Sequence, residues 1–425
     1  MRDRFFAELI AGHDSGRPSG LTSVCSAHPV VIEAALHRAK RLDEVVLVEA
    51  TCNQVNQDGG YTGMTPADFR GFVLDIAQRV GLPSGKLILG GDHLGPNPWR
   101  HLPAAAAMEK AHVMLAAFAR AGFTKIHLDA SMSCADDPTP LPNAVIAERA
   151  AALAATAENH AEGRLLSYIV GTEVPVPGGA AEHVEALTPT PPAEAAETIE
   201  LHKSAFDAAG IGHAFDRVVG LVVQPGVEFG HENVVIYRPE AARPLARARR
   251  DFGLVYEAHS TDYQSDDALR QLVRDGFGIL KVGPWLTFAL REALYGLDLI
   301  SAEMFGQSGL KSGMEALMLR EPGHWQRYYP GDGTAQRLQR HYSYSDRIRY
   351  YWAMPEAQRL VTALLARFNG VAIPETLISQ YLPHLWPDVV RGKIDAAADA
   401  LLLGAVERVL DIYGNAVTAT GGKRP

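Results

Sequence analysis

Short runs of Val, Ile and Leu recur along the first two-thirds of the chain, separated by longer Ala-rich stretches with apolar positions at helical spacing. The runs are Leu21–Cys25, Val45–Ala50, Lys86–Gly91, Lys125–Ala130, Leu166–Glu173, Val218–Gln224, Leu254–His259 and Ile279–Gly283. Continuous apolar runs of this length suit parallel strands buried on both faces. Helical stretches between them include Pro29–Lys40 and a segment from Ala104 that ends in Gly122, a suitable C′ residue. Thr65 followed by Pro66 reads as an N-cap with proline at the first helical position. Eight strand–helix units predict an α/β fold, a (β/α)8 TIM barrel over residues 1–300. From Ser301 the periodicity changes to helices, loops and aromatic clusters, which predicts a helical C-terminal extension over 301–425. The aromatic stretch from Trp325 to Trp352 reads first as a segment packed on the barrel and second as an interface.

Polar residues gather at one end of the apolar runs. Glu49 closes the second, with Asn53 and Asn56 beyond it, and Asp92–His93 follow the third. His127 and Asp129 lie in the fourth, and Glu173 ends the fifth. Gln224, Glu228 and His231 lie at and beyond the end of the sixth; Glu257 and His259 end the seventh, before Ser260 and Asp262; Lys281 stands in the eighth. In a barrel these are the C-terminal strand ends, where active sites form, and buried polar groups need partners or a metal. His93, Glu228 and His259 therefore form a candidate site for Zn²⁺, or alternatively Mn²⁺, with His231 as the other choice of third ligand. Asp92, Glu173 and Asp129 are candidate catalytic acids or bases. Ser260, Thr261, Lys281 and Gly283 follow or end strands seven and eight, where barrels commonly bind phosphate. Strand alternation puts Asp92 and His93 on opposite faces. Each residue also has a structural reading: His127 as a hydrogen-bonded core histidine, Lys281 as the partner of Glu257 or Glu49, several acids as helix caps. The glycine-rich stretches Asp58–Met64 and Val174–Ala180 read as turns that could also offer N–H groups to an anion.

Composition narrows the class. The chain has 425 residues, 47% hydrophobic and 21% charged, as in ordinary globular proteins. A net charge of −9 without a basic block disfavours nucleic acid as a partner. No apolar run is long enough to span a membrane, and the N-terminus lacks the features of a signal peptide. Three widely spaced cysteines, Cys25, Cys52 and Cys134, argue against a disulfide framework and for the cytoplasm.

The strings "SVCSAHPVVIEAAL", "VEATCNQVNQDGGYTGMTPADF", "LGGDHLGPNPW", "GFTKIHLDASMSC", "VVQPGVEFGHENV", "YEAHSTDYQ", "LKVGPWLTFALREALYGL", "YSDRIRYYW" and "ISQYLP" resemble the GatZ/KbaZ family, over nearly the whole chain. That family supplies the second, non-catalytic subunit of class II D-tagatose-1,6-bisphosphate aldolase. The resemblance implies a barrel related to class II aldolases and a role in galactitol, N-acetylgalactosamine or tagatose catabolism. It implies a sugar phosphate ligand and a partner, the GatY/KbaY-type catalytic subunit; a homo-oligomer is also compatible. Asp92–His93 resembles the class II pair of proton-transferring acid and zinc-binding histidine, and His259 resembles a further zinc ligand. Glu173, before Gly178–Gly179, is similar to the acidic loop after the fifth strand. The chain departs from that pattern where "GVEFGH" replaces His-Gly and "AHSTD" replaces His-Gly-Gly, so the phosphate grip is altered. An intrinsic aldolase or C4-epimerase activity is the alternative reading. The kinase label carried by some relatives finds no phosphate-loop motif here.

Overall fold

The computed structural model describes residues 3–172 and 187–418. Eight parallel strands close into a barrel: β1 (Leu21–Cys25), β2 (Val46–Thr51), β3 (Leu87–Leu94), β4 (Lys125–Leu128), β5 (Ser167–Val170), β6 (Val218–Val222), β7 (Val255–Ala258) and β8 (Ile279–Val282). Each strand pairs with its sequence neighbours, and β8 pairs with β1 to close the ring. This is the expected (β/α)8 barrel. The first strand has the expected bounds, and the others begin or end one to three residues away from the expected runs.

Helix boundaries follow local chemistry. Thr65 caps Pro66–Val80 in a reciprocal capping box with Asp68, and Gly81 ends it in the left-handed conformation. A ribbon of two short strands, Glu228–Phe229 and Val234–Val235, stands in the loop after β6. The periodicity gave no sign of a ribbon this short.

The interior of the barrel is layered. At the bottom, Leu21, Leu47, Ile169, Val219, Val255 and Ile279 form an apolar cluster with Phe6, Leu9 and Ile10 of the first helix, Arg4–Asp14, which plugs that end. Two residues further along the strands, alternation presents Ser23, Glu49, Glu257 and Lys281 inward. Two residues beyond lies the mouth.

Past the barrel, helices Pro284–Phe305, Leu310–Arg320, Gly333–Tyr342 and Pro355–Ala366 lead to a last long helix, Ala398–Val417. That helix returns to the barrel, packing against helices Pro29–Leu42 and Asp266–Arg274. Its Val417 carbonyl accepts a bond from the N–H of Gly20, just before β1. Among the described residues no helix is long and apolar enough to cross a membrane.

Candidate active site

The segment Gly90-Gly91-Asp92-His93-Leu94-Gly95 builds one wall of the mouth. The register between β3 and β4 shifts between Gly91 and Leu94, and His93 has φ of 49°. This bulge, with its left-handed residue, overrides the strand alternation that would separate Asp92 from His93. Both side chains face the same cluster, contrary to the expectation. The flanking glycines make room: a Cβ on Gly90 would lie 2.2 Å from Glu49 Oε1, and one on Gly95 would lie 1.6 Å from the Asp129 carbonyl oxygen.

Below the mouth is a buried ionic layer. Lys125 Nζ lies 2.7 Å from Glu49 and 2.6 Å from Glu257. Lys281 Nζ lies 2.5 Å from Asp92 Oδ1 and also binds Glu49. Burial opposes charge on both lysines, yet the carboxylates hold Lys125 above the ordinary lysine value and Lys281 well above it. Lys281 thus meets both acids suggested as partners, and Asp92 as well.

Three imidazoles stand above this layer: His93 in β3, His127 in β4 and His259 directly after β7. Ring centroids are 4.8 Å apart for His93–His259, 4.9 Å for His93–His127 and 5.1 Å for His127–His259. Each ring has one nitrogen against a carboxylate. His93 Nδ1 is 2.8 Å from Asp129, His127 Nδ1 is 2.9 Å from Asp92, and His259 Nε2 is 2.9 Å from Glu257. With each ring proton on the carboxylate side, the other nitrogen of each is left for a ligand; His127 Nδ1 also lies 3.1 Å from the His93 backbone nitrogen. His127 Nε2 is buried without a hydrogen-bond partner. Ligand atoms of Asp92, His93, His127 and His259 all lie within 4.8 Å of one another.

Carboxylate-oriented histidines are the usual design of a transition-metal site, and the charge balance fits one. Among the described residues, buried Glu49, Asp92, Asp129 and Glu257 face only two buried ammonium groups, Lys125 and Lys281. A divalent cation on three neutral imidazoles would match the two remaining negative charges. Protons meet part of that excess otherwise: burial disfavours a charge on His93, but Asp92 and Asp129 raise its pKa above the ordinary value. His259 beside it is pushed down to about 3, chiefly by burial. Asp129, despite burial, is held at about 2 by its bond with His93.

Glu228 and His231 do not belong to this group of four. Glu228 sits in the short ribbon and accepts the Phe229 N–H, and burial pushes its carboxyl up to about 7. Both His231 nitrogens bond to the extension, at Ser345 Oγ and the Tyr328 carbonyl. The third imidazole is His127, whose signal in the sequence was its place two residues before Asp129 on an inward face. Asp129 is fully engaged, bonding His93 and, through its other oxygen, Ser131. Glu173 and Gly178–Gly179 lie outside the described residues.

A cavity of about 630 Å³ opens above the imidazoles, lined by Asp92, His93, His259, Ser260, Lys281 and Gly283 among others. The proposed phosphate grip is rearranged there. The Thr261 hydroxyl donates to the Lys281 carbonyl and meets Tyr413 of the last helix. The N–H groups of Gly283 and Trp285 both donate to Asp262 Oδ1. Asp262 thus takes up the backbone N–H groups that follow β8, and burial raises its carboxyl to about 6 against those bonds. The roof includes Arg349, Tyr350 and Trp352, so the aromatic stretch of the extension walls the cavity.

A crystal structure named as a probable tagatose 6 phosphate kinase from Sinorhizobium meliloti 1021 superposes with a TM-score of 0.87 at 56% identity, covering 93% of this chain and all (100%) of that one. The D-tagatose 6-phosphate 4-epimerase of Agrobacterium fabrum is 55% identical over 420 residues, 97% of this chain and 98% of its own. The D-tagatose-1,6-bisphosphate aldolase subunit GatZ of Salmonella typhimurium is 50% identical over 414 residues, 96% of this chain and 97% of its own. The family model described as D-tagatose-1,6-bisphosphate aldolase subunit GatZ/KbaZ-like matches residues 6–418, and the chain belongs to that family.

Proposed function

We propose that this chain works on tagatose phosphates as a GatZ-type protein whose barrel is itself a metal-dependent active site, epimerising D-tagatose 6-phosphate at C4. The observation that carries this is the set of three buried imidazoles, each oriented by a carboxylate and each with a nitrogen left for a metal. His93 Nε2, His127 Nε2 and His259 Nδ1 would hold Zn²⁺ or Mn²⁺. Such an ion supplies Lewis-acid polarisation of the C2 carbonyl.

Aldol cleavage and C4 epimerisation begin alike. The 4-hydroxyl proton leaves, the C3–C4 bond breaks, and its electron pair forms an enediolate across C2 and C3. An aldolase releases the C4 aldehyde, whereas an epimerase closes the bond again on the aldehyde's other face and returns the proton to O4. Asp92 is the base this chain offers. Its Oδ1 is held by His127 and Lys281, and its Oδ2 lies on the His93 side, 3.9 Å from His93 Nε2. Burial would favour its protonated form, but Lys281 and the neighbouring imidazoles hold its pKa well below the ordinary range, so it stands ionised, with Oδ2 as the oxygen that Lys281 and His127 leave for a proton. Asp129 and Glu257 position imidazoles.

The test uses chelated and metal-reloaded protein, assayed for conversion of D-tagatose 6-phosphate to D-fructose 6-phosphate. Turnover by the metal-loaded chain alone, falling about 10²–10⁴-fold in Asp92→Ala, is expected. No turnover with a full complement of metal would overturn the intrinsic activity. The second reading, support of a GatY/KbaY-type catalytic subunit in the cytoplasm, is favoured by the GatZ relative at 50% identity over 96% of this chain. Under that reading alone, Asp92→Ala would leave a partner aldolase's activity unchanged.

A further inference from the structure

We propose that Arg349, delivered by the C-terminal extension, is the anion grip of this cavity and binds the phosphate end of the substrate. The proposal rests on the reading of the substrate as a phosphorylated ketose. It starts from a conflict: the cavity is to hold a dianion, yet the N–H groups following β8 already serve the Asp262 carboxylate. The Thr261 hydroxyl points to the last helix. The grip must therefore lie elsewhere.

Lysine and arginine are scarce in the cavity wall. Among the described residues that line it, only Lys281 and Arg349 carry such side chains. The segment 173–186 contains neither residue type. Lys281 is committed to Asp92 and Glu49, with Glu257 at 3.8 Å. Arg349 forms no ion pair within 4 Å among the described residues, although the buried carboxylates of Asp346 and Asp262 lie within electrostatic range of it. Its Nη1 donates to the carbonyls of Ser345 and Asp346, and its Nη2 donates to the Tyr350 hydroxyl at 2.9 Å. A guanidinium has five N–H groups, so these three bonds fix its plane and leave two donors.

The surroundings suit a fixed cation that awaits an anion. Arg349 lies over the Tyr350 ring at 4.4 Å, and Tyr350 meets Tyr61 edge-on at 4.9 Å. Tyr61 and Tyr350 both line the cavity beside Arg349. A planar guanidinium with two donors left matches two oxygens of one phosphate. The extension then has a role in recognition as well as packing: the metal-side residues engage the ketose end, and Arg349 reads the phosphate.

The test is calorimetric titration of the full-length, metal-loaded protein with D-tagatose 6-phosphate, D-tagatose and inorganic phosphate, comparing wild type with Arg349→Gln and Arg349→Lys. Loss of one charge-assisted, forked contact predicts about 10- to 100-fold weaker binding of D-tagatose 6-phosphate to Arg349→Gln. Binding of unphosphorylated D-tagatose should be unchanged, and Arg349→Lys should fall in between. Equal weakening for both sugars would overturn the proposal, since Arg349 would then only hold the roof in shape. Undiminished binding of the phosphorylated sugar would overturn it too. If wild type binds neither sugar, the substrate reading fails, and inorganic phosphate decides on its own: binding lost in Arg349→Gln upholds the anion grip, and no binding to wild type rejects it. Unaltered melting and metal content in the variants certify the fold, and Arg349→Lys serves alone if the glutamine variant is unstable.

Discussion

Lys125→Met tests whether the ionic layer under the mouth is a structural necessity. Lys125 and both its partners, Glu49 and Glu257, are completely buried, with contacts of 2.7 and 2.6 Å. Methionine nearly matches the aliphatic stem in volume, so the perturbation is mainly the loss of one charge. Removing one member of a buried ion pair costs about 3–5 kcal/mol, because the other charge is left without compensation. Here one ammonium serves two carboxylates, but each keeps another contact. Glu49 retains Lys281 and the Ser23 hydroxyl at 2.5 Å, while Glu257 retains His259 at 2.9 Å and Lys281 at 3.8 Å. The remaining contacts keep the expected loss within about 3–5 kcal/mol, a large part of a typical total stability of about 5–15 kcal/mol.

The assay is chemical denaturation of the metal-free protein, with Lys125→Met/Glu257→Gln as the second arm. Neutralising Glu257 removes the stranded charge, so the double variant should be more stable than Lys125→Met. A loss below about 1 kcal/mol, the range of exposed pairs, would refute the reasoning. So would a double variant that is less stable still. The first result would mean that Glu257 takes up a proton cheaply; the second would mean that its charge is still needed by His259 and Lys281.

Asp129→Asn should weaken metal binding about 10- to 100-fold, because it removes the acceptor that orients His93; competition with a fluorescent chelator measures it, and unchanged affinity would reject Asp129 as a positioning residue. His13 and His202 are buried and pushed down to about 4 by that burial. Their folded pKa lies below the unfolded value, so their contribution is complete above about pH 6.5 and is lost as pH falls towards 4, by at most ~3 kcal/mol each. Unfolding curves across that window should show the decline, and His202→Gln should flatten it; an identical slope in the variant would refute the assignment.

How much of this could be read from the sequence depended on which interaction set each position. Strands were legible because burial on both faces writes continuous apolar runs, and the mouth was legible because polar residues interrupt those runs at one end. Asp92 and His93 were therefore found, but not their common direction, since the bulge between Gly91 and Leu94 breaks the alternation on which any side-chain assignment rests. The two glycines before Asp92 carried the missing information in a form that needs a partner to interpret: Gly90 is small because Glu49, on another strand, lies over it. His127 and Lys125 were obscured differently. A buried lysine at a strand's start looks like a solvated boundary until two carboxylates from β2 and β7 are placed beside it. Asp262 and Arg349 were hidden by distance along the chain. An acid that occupies a backbone anion site looks like any loop acid, and an arginine among tyrosines looks like surface packing. The long aromatic stretch makes sense only once it is laid across the mouth. There Tyr350 and the carbonyls of Ser345 and Asp346 hold Arg349 at a cavity whose other lining cation, Lys281, is already paired. The chemistry at the strand ends thus belongs to the barrel, whereas the proposed choice of ligand belongs to the segment that covers it.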